Sequence, residues 1–172
     1  MDSLFIGTRF EAFKILSINT NVKLIITKKF SFIDKFVNKN LFRVIYVNKK
    51  NKENIFKIID LCHAKIVLSS GFPFILPKKV FLKKNKIFLN SHPSLLPKYK
   101  GIRPIVEAIK NKERQIGITV HLMNENLDAG KILVQKKYNL KNNSNINYIY
   151  KELFSIIEPQ AIDIALKKIK GI

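Results

Sequence analysis

The sequence predicts an α/β fold: a mainly parallel sheet flanked by helices, with a C-terminal antiparallel hairpin and a long helix. Three observations lead there. Short apolar runs alternate with helical spacings from Leu4 to Leu89, and strands separated by helices imply βαβ units and a parallel sheet. From Gly117 onward two β-rich runs are joined by a polar connector. A long helical pattern then runs from Asn145 to Ile169.

The elements follow in order. Leu4-Phe5-Ile6 is a first strand, stopped by Gly7. Phe10, Phe13, Ile15 and Leu16 mark one face of a helix. Val22 to Ile26 and Arg43 to Val47 are further strands, and Asn51 to Leu61 carries Ile55, Phe56, Ile58 and Ile59 at helical spacing. Lys65 to Leu68 is a strand closed by Ser69-Ser70-Gly71, and Lys86 to Leu89 is one that delivers Asn90 at its C-terminal end. Ligands of open α/β sheets sit beyond the carboxyl ends of the strands. Ser70-Gly71 and Asn90 to Pro93 fall there, in a Rossmann-like arrangement. Pro104 to Lys110 reads as a helix opening on proline. Gly117 to Leu122 and Lys131 to Lys137 form the hairpin, joined by Asn124 to Gly130. The final helical pattern is expected to break near Pro159, and the polar stretch Asn139 to Asn147 is the expected flexible loop.

Composition narrows the function classes. The 172 residues carry a net charge of +20, and such a surplus ordinarily points to nucleic acid or an anionic surface. Only Arg9, Arg43, Arg103 and Arg114 are arginines, and the lysines are scattered. With abundant Asn and Ile, this suggests a coding bias rather than a dedicated surface. The cluster Lys78, Lys79, Lys83 and Lys84 around Phe81 reads as a solvated face. Cys62 is the single cysteine, so no internal disulfide forms; its apolar run suggests a buried thiol. No apolar stretch reaches the roughly 20 residues of a membrane span, and the N-terminus reads as a strand. One domain over 1–172 in the cytoplasm is expected, with a homodimer through the last helix as an option.

Asn90, His92 and Asp128 carry the chemistry. Asn90 and His92 stand two apart at a strand end, which turns both to one side. An Asn amide can donate to an oxyanion, and a protonated His can add a positive charge and a proton. A carboxylate such as Asp128 favours the charged imidazolium. That set suits acyl transfer to an amine with no covalent nucleophile. The bland readings are a strand-end cap for Asn90, a satisfied polar residue for His92 and a turn former for Asp128. His121 reads equally well as a pocket residue or a satisfied strand histidine, and His63 as structural. No Cys/His cluster has metal-ligand spacing, so no metal is expected.

The run Asn90-Ser91-His92-Pro93-Ser94-Leu95-Leu96-Pro97, closing on Gly101, together with Leu127-Asp128-Ala129-Gly130, resembles the paired signatures of folate-dependent formyltransferases. That family includes methionyl-tRNA, amino-sugar and glycinamide ribonucleotide formyltransferases. The resemblance implies that Asn90 and His92 polarise the formyl carbonyl of 10-formyltetrahydrofolate while Asp128 holds His92 charged and assists proton transfer. It also implies that Gly71, Phe72, Phe74, Ile75 and Leu76 line the pterin pocket, with Asn124 and Asn126 of the connector closing over it. Arg9, Lys100 and Arg103 would meet an anionic acceptor. Phe5 to Glu11 lacks the Gly/Ser/Asn-rich phosphate loop of the glycinamide ribonucleotide enzymes. The chain ends soon after the long helix, where methionyl-tRNA enzymes carry a further barrel. The reading placed first is therefore a small-molecule amine on a nucleotide-sugar, with tRNA and glycinamide ribonucleotide as alternatives. A reading of another class is a basic module that binds folate or nucleic acid without turnover.

Overall fold

A computed structural model describes residues 1–82, 85–140 and 145–171. Lys83 and Lys84 of the lysine cluster, and residues 141–144 of the polar stretch, lie outside the described residues. The chain divides into two compact units, Met1–Asn90 and Ser91–Ile172.

The first unit alternates strand and helix: β1 (Asp2–Gly7), α1 (Phe10–Asn19), β2 (Asn21–Thr27), α2 (Phe32–Phe36), β3 (Val44–Tyr46), α3 (Lys52–Leu61), β4 (Ile66–Ser70), α4 (Lys78–Phe81) and the start of β5 (Ile87–His92). Its strands lie in the order β3-β2-β1-β4-β5. The pairs β1–β2, β1–β4 and β2–β3 are parallel, and the Ile87 N–H donates to Lys65 O, 2.8 Å away, where β5 begins. Every residue of β4 is buried, as are Leu4, Phe5 and Ile6 of β1. Parallel strands covered on both faces show such unbroken apolar runs. Phe13 of α1 packs edge-on against Phe5 and Phe42, with ring centroids 5.9 and 5.1 Å apart.

The single-turn elements α2 and α4 leave no periodicity to read in the sequence. Chemistry specifies α2 instead. Ser31 caps the N–H of Asp34, and the Asp34 carboxylate accepts from Phe30 N–H at 2.7 Å and Tyr46 O–H at 2.8 Å. Lys39 Nζ stands 2.8 Å from the same carboxylate. Lys39, then Tyr46, then the Phe30 amide together hold the Asp34 pKa down at about 2. One expectation is corrected here. Cys62 is half-buried rather than buried, because α3 ends at Leu61, itself 74% exposed, and only Ile55, Phe56 and Ile59 face inward.

The second unit holds the end of β5, then α5 (Pro104–Lys110), β6 (Gln115–Leu122), β7 (Ile132–Asn139), α6 (Ile146–Glu152) and α7 (Glu158–Lys170). β6 and β7 pair antiparallel, with Val120 opposite Val134 and a register shift between Val120 and His121. α7 packs on both strands. The C-terminal helix does not break near the proline as expected; it stays helical throughout and only widens into a five-residue π-helical segment, Leu153–Ile157, just before it. Pro159 sits in the first turn of α7. It has no N–H to return to the preceding turn, so the regular ladder cannot run through it. No helix among the described residues is long and apolar enough to cross a membrane.

Candidate functional site

β5 carries Asn90, Ser91 and His92 in its last three positions, with Asn90 half-buried and His92 only 5% exposed. The segment after it is tied down by Thr119 of β6. The buried Thr119 hydroxyl donates to Ser94 O at 2.6 Å and accepts from Leu96 N–H at 3.2 Å. Gln135 Nε2 of β7 donates to Leu96 O at 2.7 Å. The Leu96–Pro97 peptide bond is cis. Thr119 and Gln135 therefore set the path of the signature run, a role the sequence does not reveal.

Gly130 explains how Asp128 reaches this run. A Cβ on Gly130 would lie 1.7 Å from Leu122 O, so only glycine lets the connector fold back onto the end of β6. Asp128 adopts a left-handed backbone, φ 47°, which Asp tolerates better than most residues. The residue is 8% exposed. Asp128 Oδ2 stands 3.3 Å from His92 Nδ1 and accepts the Gly101 N–H at 2.9 Å. Asp128 Oδ1 stands 3.6 Å from His121 Nε2. The structure thus brings His92 and Asp128 together and adds His121.

Backbone carbonyls then constrain the protons. His92 Nε2 lies 2.8 Å from Tyr99 O, and His121 Nδ1 lies 2.9 Å from Leu122 O. A carbonyl only accepts, so each of those nitrogens must donate. In a neutral ring the other nitrogen would turn a lone pair toward Asp128. A second ring proton makes that contact attractive instead. One carboxylate thus faces a ring nitrogen from each of two histidines. Burial raises the Asp128 pKa. The His121 hydrogen bond, the charge of His92 and the Gly101 amide outweigh burial and leave it below the usual 3.8.

The remaining sequence-predicted residues fall as follows. Within the first unit, Gly71 has φ 67° and its carbonyl accepts from the Thr8 hydroxyl at 3.2 Å. A Cβ on Gly71 would stand 3.3 Å from Arg9 Nε, so Arg9 and Gly71 are neighbours. Phe72 and Phe74 meet edge-on at 5.9 Å. Ile75 is 77% exposed and Leu76 is buried. Within the second unit, Asn124 turns its amide inward on the connector, donating to Ala129 O and accepting from Asn126 N–H. Asn126, Lys100 and Arg103 are exposed, and Arg103 takes a left-handed conformation just before α5. His63 is exposed. Sequence reasoning undervalued His121, whose only local signal is its place at the end of the strand before the Asp128 connector. It missed the Ser91–Glu158 bond, in which a fully buried carboxylate accepts from the hydroxyl at 2.6 Å.

Comparison with known proteins bears on this geometry. The formyl transferase family model matches residues 19–162. The chain belongs to that family. Over 117 residues, 68% of this chain, it is 36% identical to a methionyl-tRNA formyltransferase of Borreliella afzelii (strain PKo), of which it covers 37%. Against the methionyl-tRNA formyltransferase of Caldicellulosiruptor saccharolyticus it is 27% identical over 100% of its own length, covering 60% of that relative. The chain therefore spans less than two thirds of the curated formyltransferases it matches. A crystal structure of phosphoribosylglycinamide formyltransferase from Bacillus halodurans superposes with a TM-score of 0.84 at 17% identity, covering 98% of this chain and 95% of the other. That shows the formyltransferase fold, including the mainly parallel sheet, the hairpin and the long helix.

Proposed function

We propose that this protein transfers a formyl group from 10-formyltetrahydrofolate to a primary amine. The observation that carries this reading is the Asp128 carboxylate shared between His92 and His121, with His92 two residues from Asn90. In the reaction the amine nitrogen bonds to the formyl carbon, and the bond from that carbon to the folate nitrogen breaks. Between the two lies a tetrahedral centre bearing an oxyanion. Asn90 donates a hydrogen bond to that oxygen and the His92 imidazolium offsets its charge. Asp128, with the His92 and His121 rings, takes the proton lost by the attacking amine and supplies the one gained by the leaving nitrogen. The products are a formamide and tetrahydrofolate. On the resemblance, Gly71, Phe72, Phe74, Ile75 and Leu76 are the residues of the first unit proposed for the pterin.

For the acceptor, the α-amino group of methionyl-tRNA is the reading the relatives favour, since those quoted from curated proteins are named for that substrate. A net charge of +20 suits a polyanion. The nucleotide-linked amino sugar placed first by the sequence finds no support among these relatives. The deciding experiment incubates the protein with 10-formyltetrahydrofolate and, separately, methionyl-tRNA, glycinamide ribonucleotide and nucleotide-linked amino sugars. Tetrahydrofolate release is followed in each. Release with methionyl-tRNA alone supports both halves of the proposal, and release with another amine moves the acceptor. No release with any of them, from folded protein, defeats the enzyme reading.

A further inference from the structure

The buried face of the C-terminal helix steps from Ile149 to Leu153, then to Glu158, Ile162 and Leu166. Every step is four residues except the one from Leu153 to Glu158, which is five and spans the π-helical segment Leu153–Ile157. A regular α-helix would have brought Ile157 to the inside. The extra residue turns Glu158 inward instead, where it is 0% exposed. A carboxylate buried among apolar residues is costly unless it is bonded, and π turns inside helices are often found at functional sites. Glu158 Oε1 accepts the Ser91 hydroxyl at 2.6 Å, at the short end of O–H···O bonds. Ser91 stands between Asn90 and His92 on β5. Because side chains alternate along a strand, it projects to the opposite side from both.

We propose that Glu158 is a positioning residue: acting through Ser91, it pins the end of β5 from behind and holds Asn90 and His92 at the angle formyl transfer needs. This rests on the formyl-transfer reading above. Glu158 is buried and is not assigned any contact with substrate. An isoleucine or leucine at 158 would continue the apolar face but leave the Ser91 hydroxyl without this acceptor. The strand end would then be free to rotate, and the first geometry to suffer would be the bonds of His92 to Asp128 and Tyr99.

The test uses Glu158→Leu, Glu158→Gln and Ser91→Ala in the full chain, each checked by circular dichroism and thermal melting. Glu158→Leu and Ser91→Ala should each lower kcat about tenfold while leaving KM for the folate within about twofold, the signature of a lost orientation rather than lost binding. Glu158→Gln keeps an acceptor oxygen and should recover most of the loss. The double variant should be no worse than the poorer single one, since both cut the same bond. A second readout, nitrogen-15 spectra of the His92 ring, needs no turnover. The ring should lose its defined pair of hydrogen-bonded signals in Glu158→Leu and Ser91→Ala and keep them in Glu158→Gln. If Glu158→Leu does not fold, Ser91→Ala alone decides. Unchanged His92 spectra in folded Ser91→Ala overturn the proposal even if the protein proves to have no formyltransferase activity. Unchanged kcat in an active enzyme overturns it equally.

Discussion

His121 Nε2 and Asp128 Oδ1 stand 3.6 Å apart, although neither residue belongs to the strand that carries Asn90 and His92. This makes Asp128 the meeting point of two imidazoles, each with its far nitrogen donating to a backbone carbonyl. The acid–base behaviour of the site follows from that sharing.

Asp128→Asn keeps the size of the side chain and removes its charge. Formyl transfer should fall roughly 100-fold or more, the scale of a lost acid–base group, with little change in folate affinity. Steady-state kinetics against folate concentration checks both statements. A near-normal kcat would remove Asp128 from the mechanism.

Replacing His121 by Gln takes away the ring facing Asp128 Oδ1 and leaves the strand otherwise intact. Rate should drop roughly 100-fold if the ring carries the proton, and the pH profile should change as well, since one of the two rings sharing the carboxylate has gone. A profile identical to that of the parent would reduce His121 to a packing residue.

The pH dependence has a definite sign. The Asp128 pKa lies below 3.8 in the folded protein. Its contribution to stability is therefore full above about 3.8 and is lost progressively as pH falls from there through the depressed value. The rate should likewise keep its Asp128 contribution down to about pH 3.8 and fall below that as the carboxylate takes up a proton, which a rate profile into the acid range checks.

Gly130→Ala places a Cβ where Leu122 O already stands, at 1.7 Å. The connector must shift, drawing Asp128 away from His92. We expect a loss of about 2 kcal/mol or more in stability, read by denaturant melts, together with a fall in activity. Equal stability and activity would mean that the connector adjusts freely.

Asp34 offers a control in the first unit. Its pKa of about 2 reflects its bonds to Lys39, Tyr46 and Phe30 N–H. Asp34→Asn should cost roughly 1 kcal/mol, discounted for solvent screening, with kcat unchanged. The parent's advantage should be full above about 3.8 and vanish as pH falls toward about 2. Thermal melts of both proteins across that range check it.

Element types were largely legible because periodicity is local. The unbroken apolar runs of β1 and β4, the proline that opens α5 and the paired runs of β6 and β7 all announce themselves within a few residues. The single-turn α2 does not, since five residues cannot repeat a helical pattern and its stability comes from Asp34 meeting Tyr46. Cys62 was misjudged because an apolar run does not say where its helix ends.

By itself the sequence determined that Asn90 and His92 share one side of a strand end and that Asp128 lies in a glycine-bearing connector. Only the tertiary structure decided that Asp128 stands between His92 and His121, and that Glu158 lies behind Ser91, 67 residues away in the chain. The reason is physical. Strand pairing, the fold-back that Gly130 permits and the five-residue step of the π segment set which distant side chains meet, and none of these is written in the spacing of neighbouring residues.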